Sequence, residues 1–285
     1  MKKYLLLVIS IILLCSCTKE YKLYTSELKY LDDNIKITFY SSNKDKSKKA
    51  LKEIDSIYYK YNKAYNNINK GIINSNLEKE IINYGKKWYK ESNYYVSINT
   101  KKFIENEKNN ISNKNYDFSK YNNKNYNVSF YIKGMASNEV YNYLKEVGIK
   151  KYLITTKDSV LAGLSNDNSK YNIALASPFD DGIKMLSVNN KYIVTKSLYD
   201  NPIEIDGIKY SNIVNAKKRI LQRNHIAVSV ITNDVGIGDM LASTLLVMDY
   251  NVGKEFIKNY DAKAIWYYID NEKEIIKESE RLYEY

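Results

Sequence analysis

The stretch Gly236-Ile-Gly-Asp-Met-Leu-Ala-Ser-Thr-Leu-Leu246 carries one carboxylate, Asp239, at the front of an almost wholly apolar run. A run of this kind reads as a helix buried on all sides. Two readings of the carboxylate stay open. Asp239 can cap the start of the helix, where Asp is common. Alternatively it is a charge placed inside the protein, which is costly unless the charge is paired or bound to a cation. Ser243 lies one turn further on and projects from the same face. A carboxylate and a hydroxyl so placed suit Mg²⁺ together with a phosphate held by free amides at the helix start.

The chain has 285 residues, of which 44% are hydrophobic and 27% charged, the balance of a globular protein with a sizeable core. Its 30 tyrosines and long Lys/Asn/Ile tracts read as compositional bias, which limits what any single Lys, Asn or Tyr can mean. The formal net charge of +11 is spread along the chain without an Arg-rich cluster or nucleic-acid motif, so no nucleic-acid partner is expected. At the N-terminus Lys2-Lys3 precede the apolar run YLLLVISIILL, which has the length of a signal-peptide core and is short for a membrane span. It ends in Leu14-Cys15-Ser16-Cys17, the pattern of bacterial lipoprotein processing, with Cys17 as the lipidated residue. The expected organisation is a signal peptide over 1–16, lipidated Cys17 with a tether to 33, and one domain over 34–285. A lipid anchor would place the domain in the cell envelope, on a bacterial membrane and facing the periplasm or the exterior. With no cysteine after Cys17, the folded part has neither a disulfide nor a thiolate metal site.

Alternation predicts strands over 35–40, 151–156, 171–176, 184–188, 191–195 and 226–232. Helical spacing links Leu51, Ile54, Tyr58 and Tyr61, and again Leu77, Ile81, Tyr84 and Trp88. Residues 105–127 read as a long surface loop. Ser137 is expected to cap a helix closed by Gly148, and helices are also expected from Asp239 and near 254–260. A hairpin is expected to turn at Asp270-Asn271. Strands and helices mix without a βαβ rhythm, so the fold class is α+β. The single histidine, His225, reads as a surface or strand-end residue, and no Walker loop, GxGxxG, GxSxG or CxxC is present.

Phe130-Tyr-Ile-Lys-Gly-Met-Ala-Ser-Asn138 is followed by a helix, the strand YLITT, Asp158 and Gly163. Asn172–Pro178, Val194–Tyr199, Gly207–Ala216 and the segment GDMLASTLLVMD come next. In this order the pieces resemble the ApbE family, the FAD:protein FMN transferases. The resemblance implies a single ApbE-like α+β domain behind the lipoprotein signal. It implies Mg²⁺-dependent transfer of FMN from FAD, the substrate, to a Thr or Ser of a flavin-accepting protein, with release of AMP. It also implies that Asp239 and Ser243 hold the metal with the carbonyls of Ile132 and Gly236. The flavin nucleotide would lie along Tyr94, Tyr95, Val96, Ser129, Lys133, Gly134, Asn138, Thr195, Asn212 and Ile213. No catalytic residue is assigned: Asn212 stands where the family has a histidine, and Lys133 is a candidate.

The departures fall on the flavin side. Asn212 cannot take a proton near neutral pH. Asn138 and Val96 replace family aspartates. Thr156-Lys157 replaces a Gly-Gly turn, and Thr195-Lys196-Ser197 replaces Thr-Ser-Gly, so side chains fill space where backbone would approach a ligand. The metal half reads as kept and the flavin half as eroded. Two functions are therefore expected: an active transferase, or a degenerate relative that binds flavin or a protein partner without transferring FMN.

Overall fold

The computed structural model describes residues 20–120, 125–179 and 182–280. Cys17 and the leader lie outside the described residues, as does the lipoprotein reading that rests on them. The chain begins with β1 (Lys22–Tyr30), β2 (Asp33–Ser41), α1 (Lys44–Asn69), α2 (Asn76–Glu91), α3 (Lys101–Lys108) and α4 (Ile132–Glu146). Strands β3 (Tyr152–Thr155), β4 (Ser159–Ala162), β5 (Tyr171–Ala176), β6 (Ile183–Val188) and β7 (Lys191–Ser197) follow. Short strands β8 (Ile203–Ile205), β9 (Ile208–Tyr210), β10 (Val214–Asn215) and β11 (Ile220–Leu221) lead to β12 (His225–Thr232). The chain continues through α5 (Val235–Val247), α6 (Tyr250–Ile257), β13 (Ala262–Asp270) and β14 (Lys273–Glu278). No helix of the described residues is long and apolar enough to cross a membrane.

One antiparallel sheet in the order β1-β2-β3-β4-β7-β12-β13-β14 organises the α+β fold. Its central strand β12, HIAVSVIT, is buried along its whole length because both sheet faces are covered. On one face the helices and strands share a core that includes Phe39, Ile54, Tyr192, Val194, Leu241 and Trp266. On the other, the β5–β6 hairpin packs Leu175, Leu186 and Val188 against Ile193, Ile231 and Ile265.

Several elements differ from the sequence expectation. Residues 22–30, expected as tether, form the edge strand β1, which pairs in register with β2 from Lys22↔Ser41 to Tyr30↔Asp33. Residues 101–108, partly inside the expected loop, form α3. The helix expected from Ser137 starts at Ile132, and Ser137 is buried inside it, its hydroxyl 3.2 Å from that of Tyr58. The helix expected from Asp239 starts at Val235, capped by Asp234, whose carboxylate accepts from the Gly236 amide at 2.9 Å. Asp239 is therefore no cap. His225 opens β12, at the strand end expected, and is buried and not on the surface, with Nδ1 3.0 Å from the Leu246 carbonyl oxygen, and burial pulls its pKa down. The expected β13–β14 hairpin is present, turning on Asn271 and Glu272, both at positive φ.

α2 shows how local chemistry sets a boundary. The Ser75 hydroxyl accepts from the Glu78 amide at 3.2 Å, and the Glu78 carboxylate accepts from the Ser75 amide at 2.7 Å, a reciprocal capping box. Replacing Ser75 by Ala is expected to cost about 1 kcal/mol. In urea unfolding the midpoint should fall while the denaturant slope stays unchanged.

Candidate functional site

Asp239 is the fifth residue of α5 and is buried, its side chain 3% exposed. α5 lies across β7 and against α4 at close range. A Cβ on Gly238 would come within 2.5 Å of the Tyr192 ring, and one on Gly134 within 2.4 Å of Asp239 Oδ2. Only glycine at both positions lets strand and helix approach the carboxylate this closely.

Strand alternation then decides what meets Asp239. On β7, Tyr192, Val194 and Lys196 are buried together on the helix-facing side. The Tyr192 hydroxyl donates to Asp239 Oδ2 at 2.7 Å, and the Lys196 ammonium donates to Oδ1 at 2.6 Å. Lys196 also donates to Asp158 Oδ2 at 3.0 Å. Lys133 on α4 donates to Asp158 Oδ1 at 2.6 Å and to Asp33 Oδ2 at 2.7 Å. Asp33 finally accepts from the Lys157 amide at 3.0 Å. The result is a ladder of alternating charge, Asp33–Lys133–Asp158–Lys196–Asp239, closed by Tyr192.

Asp33 reaches the ladder through the two-residue turn between β1 and β2. Leu31 and Asp32 both sit at positive φ, 56° and 57°, the conformation of a type I′ hairpin. The Leu31 amide donates to Asn62 Oδ1 at 2.9 Å, which holds the turn against α1.

Protonation follows the geometry. Burial disfavours the Lys196 ammonium, but Asp158 and Asp239 more than offset this and raise its pKa above the ordinary lysine value. Burial would push the Asp158 carboxyl up, yet Lys196 and Lys133 hold it well below the usual carboxylate range. Lys133 is raised too: burial opposes its charge, Asp158 favours it more strongly, and Lys196 works against it. Tyr192 is pushed well above its usual value by burial and then by Asp239, so it stays a donor.

The outer end of the ladder borders a cavity of about 100 Å³ whose walls include Ser129, Ile132, Lys133, Asn212 and Ile213. Beside it lies a wider cleft of about 730 Å³, sharing Leu31, Asp32, Asp33 and Lys157 with the first. Together they reach the roughly 300–1,000 Å³ typical of ligand sites.

Residues 31–266 match the ApbE family. The chain belongs to the ApbE family. Solved structures agree on the fold. The ApbE protein of Thermotoga maritima aligns with a TM-score of 0.73 at 14% identity, over 91% of this chain and 97% of its own. The flavin transferase ApbE of Vibrio cholerae aligns at 0.70 and 13%, over 91% and 97%. The apo flavinyl transferase ApbE of Pseudomonas stutzeri aligns at 0.68 and 14%, over 91% and 94%. No curated protein matches the chain.

Within this ApbE fold, the residues expected to hold flavin divide. Ser129, Lys133, Asn212 and Ile213 meet in one cavity. Gly134 instead packs against Asp239. Asn138 lines a different surface depression, beside Tyr84 and Gly236. Tyr94 is exposed, while Tyr95 and Val96 are buried in the core, the Tyr95 carbonyl accepting from the Ala216 amide at 2.9 Å. None of these three lines the cavity. Thr195, next to Lys196 on a strand, points to the opposite sheet face, its hydroxyl 2.7 Å from that of Ser229.

The expected metal ligands do not converge either. Ser243 donates to the Phe130 carbonyl oxygen at 3.3 Å, and the Gly236 carbonyl oxygen accepts from the Tyr84 hydroxyl at 2.7 Å. Ile132 opens α4 and borders the cavity, two residues before the Gly134 that packs on Asp239. Both oxygens of Asp239 are already bonded. Mg²⁺ needs near-octahedral oxygens at roughly 2.0–2.1 Å, and an ammonium stands beside the carboxylate where it would bind. Among the described residues no group of three or more His, Cys, Asp and Glu side chains is placed to hold a metal ion. As arranged, these residues do not fit a divalent cation at Asp239.

Sequence reasoning missed the roles of Asp33, Tyr192 and Lys196. The signal was present in KYIVTKS: a lysine two residues beyond buried Val194, on the same strand face, must find a carboxylate inside.

Lys196→Met leaves Asp158 and Asp239 without their shared ammonium and should cost about 3–5 kcal/mol at neutral pH. Its pH dependence gives a second check. In the wild type the depressed Asp158 pKa contributes stability above its unfolded value of about 3.9, lost as the pH falls further. In Lys196→Met the Asp158 carboxyl is no longer held down by Lys196 and gains its proton more readily, so the variant's deficit against wild type should shrink between pH 7 and 5 in paired urea melts. Gly134→Ala, which drives a methyl into Asp239, should cost about 1–3 kcal/mol in the same measurement.

Proposed function

We propose that this ApbE-family chain binds a flavin nucleotide, FAD, in the cleft beside the charge ladder without carrying out Mg²⁺-dependent FMN transfer. One observation carries this reading: the Asp239 carboxylate, expected to hold the metal, is bonded at 2.6 Å by Lys196 and at 2.7 Å by Tyr192. Without a divalent ion at the diphosphate, phosphoryl transfer loses its principal charge stabilisation. The groove supports binding, because Ser129, Asn212 and Ile213 line it together, with Lys133 and Lys157 beside them. Asn212 can donate and accept hydrogen bonds but cannot act as a base. The Cys17 processing pattern supports a lipid-anchored protein on the outer side of a bacterial membrane.

A second reading, active Mg²⁺-dependent transfer of FMN to a Thr or Ser of a flavoprotein, has its own support. Asp239 and Ser243 keep their one-turn spacing on one buried helix, and the similar solved structures are named flavin transferases.

Incubating the purified protein with FAD, Mg²⁺ and a flavin-accepting protein separates the two. We expect saturable quenching of FAD fluorescence and no covalent flavin band on a denaturing gel. A fluorescent acceptor band defeats the first reading, and absence of FAD binding defeats both.

A further inference from the structure

We propose that the Lys196 ammonium is a built-in cation that takes the place of a divalent metal at Asp239, leaving the domain indifferent to divalent ions. The inference deepens the reading above for the same site and rests on it only for the consequence that transfer lacks its metal.

Geometry is the first support. Lys196 Nζ lies 2.6 Å from Asp239 Oδ1 and 3.0 Å from Asp158 Oδ2, bridging two carboxylates from different elements as a bound cation would. Access is the second. The Lys196 and Asp239 side chains are 5% and 3% exposed. An entering ion would have to expel a bonded ammonium from the interior and shed its own water. The surrounding donors agree. Tyr192 occupies the other Asp239 oxygen, Ser243 is turned to the Phe130 carbonyl, and the Gly236 carbonyl is held by Tyr84. Three of the four groups expected to hold a metal, those of Asp239, Ser243 and Gly236, thus have a protein partner. A tethered ammonium also needs no free ion, because its effective concentration is fixed by the strand that carries it.

Removing the tethered charge should uncover the site. In Lys196→Ala two carboxylate oxygens face the point left by Nζ. Their 2.6 Å and 3.0 Å distances to that point are closer to Ca²⁺–oxygen than to Mg²⁺–oxygen separations. The probes are therefore Ca²⁺, with Mg²⁺ beside it, and Tb³⁺ as a luminescent substitute.

Melting temperatures are compared in excess EDTA and in millimolar Ca²⁺ or Mg²⁺. The wild type should melt at the same temperature in all three. Lys196→Ala should melt lower in EDTA and gain roughly 3–5 °C for each tenfold rise in Ca²⁺ above half-saturation. It should also sensitise Tb³⁺ emission, which Asp239→Asn added to the variant should abolish. Lys196→Met, whose side chain still fills the space, should be destabilised and insensitive to cations. Wild-type stabilisation by a cation that disappears in Asp239→Asn overturns the proposal. So does a Lys196→Ala chain that ignores every cation, whether folded or not. Flavin labelling reads a separate quantity: an acceptor band with a cation-indifferent wild type defeats the functional reading and leaves this one standing.

Discussion

The structure depends on burying one carboxylate, Asp239, in an apolar helix at the centre of the molecule. An ionised carboxylate there is tolerated only if its oxygens are bonded and its charge is met. β7 meets both needs at once, because Tyr192 and Lys196 face α5 from the same side of the strand. Lys196 then needs a second acceptor, supplied by Asp158 from the turn between β3 and β4. Asp158 in turn recruits Lys133, and Lys133 recruits Asp33 on the exposed hairpin. Each buried charge brings in the next, and the series ends at Asp33, whose carboxylate is itself buried and accepts from the Lys157 amide. A single side chain in α5 thereby fixes how α4, β2, β4 and β7 sit against one another.

Elements with clean periodicity were legible in the sequence. Strands β5, β6, β7 and β12 alternate or run apolar, and helices α1 and α2 carry apolar stripes that match their buried faces. Boundaries failed where glycine has a packing role. The helices expected from Ser137 and Asp239 begin earlier, at Ile132 and Val235, and so take in Gly134, Gly236 and Gly238. β1 failed for another reason. As an edge strand it buries little and carries Glu27 and Lys29 outward, so its pattern resembles a polar tether. Of the site, Asp239 was legible as a buried charge, whereas its partners were not. Ion pairing joins Asp33, Lys133, Asp158 and Lys196 to Asp239 across 239 − 33 = 206 positions of chain, and spacing along the sequence does not say which carboxylate meets which lysine.

The same limit bears on the metal half. The sequence kept an Asp and a hydroxyl one turn apart, and that pair was read as a retained cation site. In the fold the hydroxyl of Ser243 tightens the packing of α5 on the Phe130 segment, and the carboxylate answers a lysine. Residue types can persist while their partners change. The change that matters lies on β7 and not on α5: one residue of a flanking strand alters the charge its neighbour sees.

The ladder also sets the electrostatics of the cleft beside it. Three carboxylates and two ammoniums leave one formal negative charge in the group, so the ladder as a whole offers nothing to a diphosphate. Lys133 borders the cavity, but two carboxylates hold it. Lys157 differs. Its side chain is 68% exposed, and its ammonium stands 3.5 Å from Asp200, an exposed-type pair of little strength. It is tied to the site by its amide, which donates to Asp33, while the side chain reaches out to the solvent-exposed pair with Asp200. The positive charge available to an anionic ligand in this cleft is therefore that of exposed lysines on its lining, Lys157 and Lys29. The inner lysines are committed to keeping Asp158 and Asp239 inside.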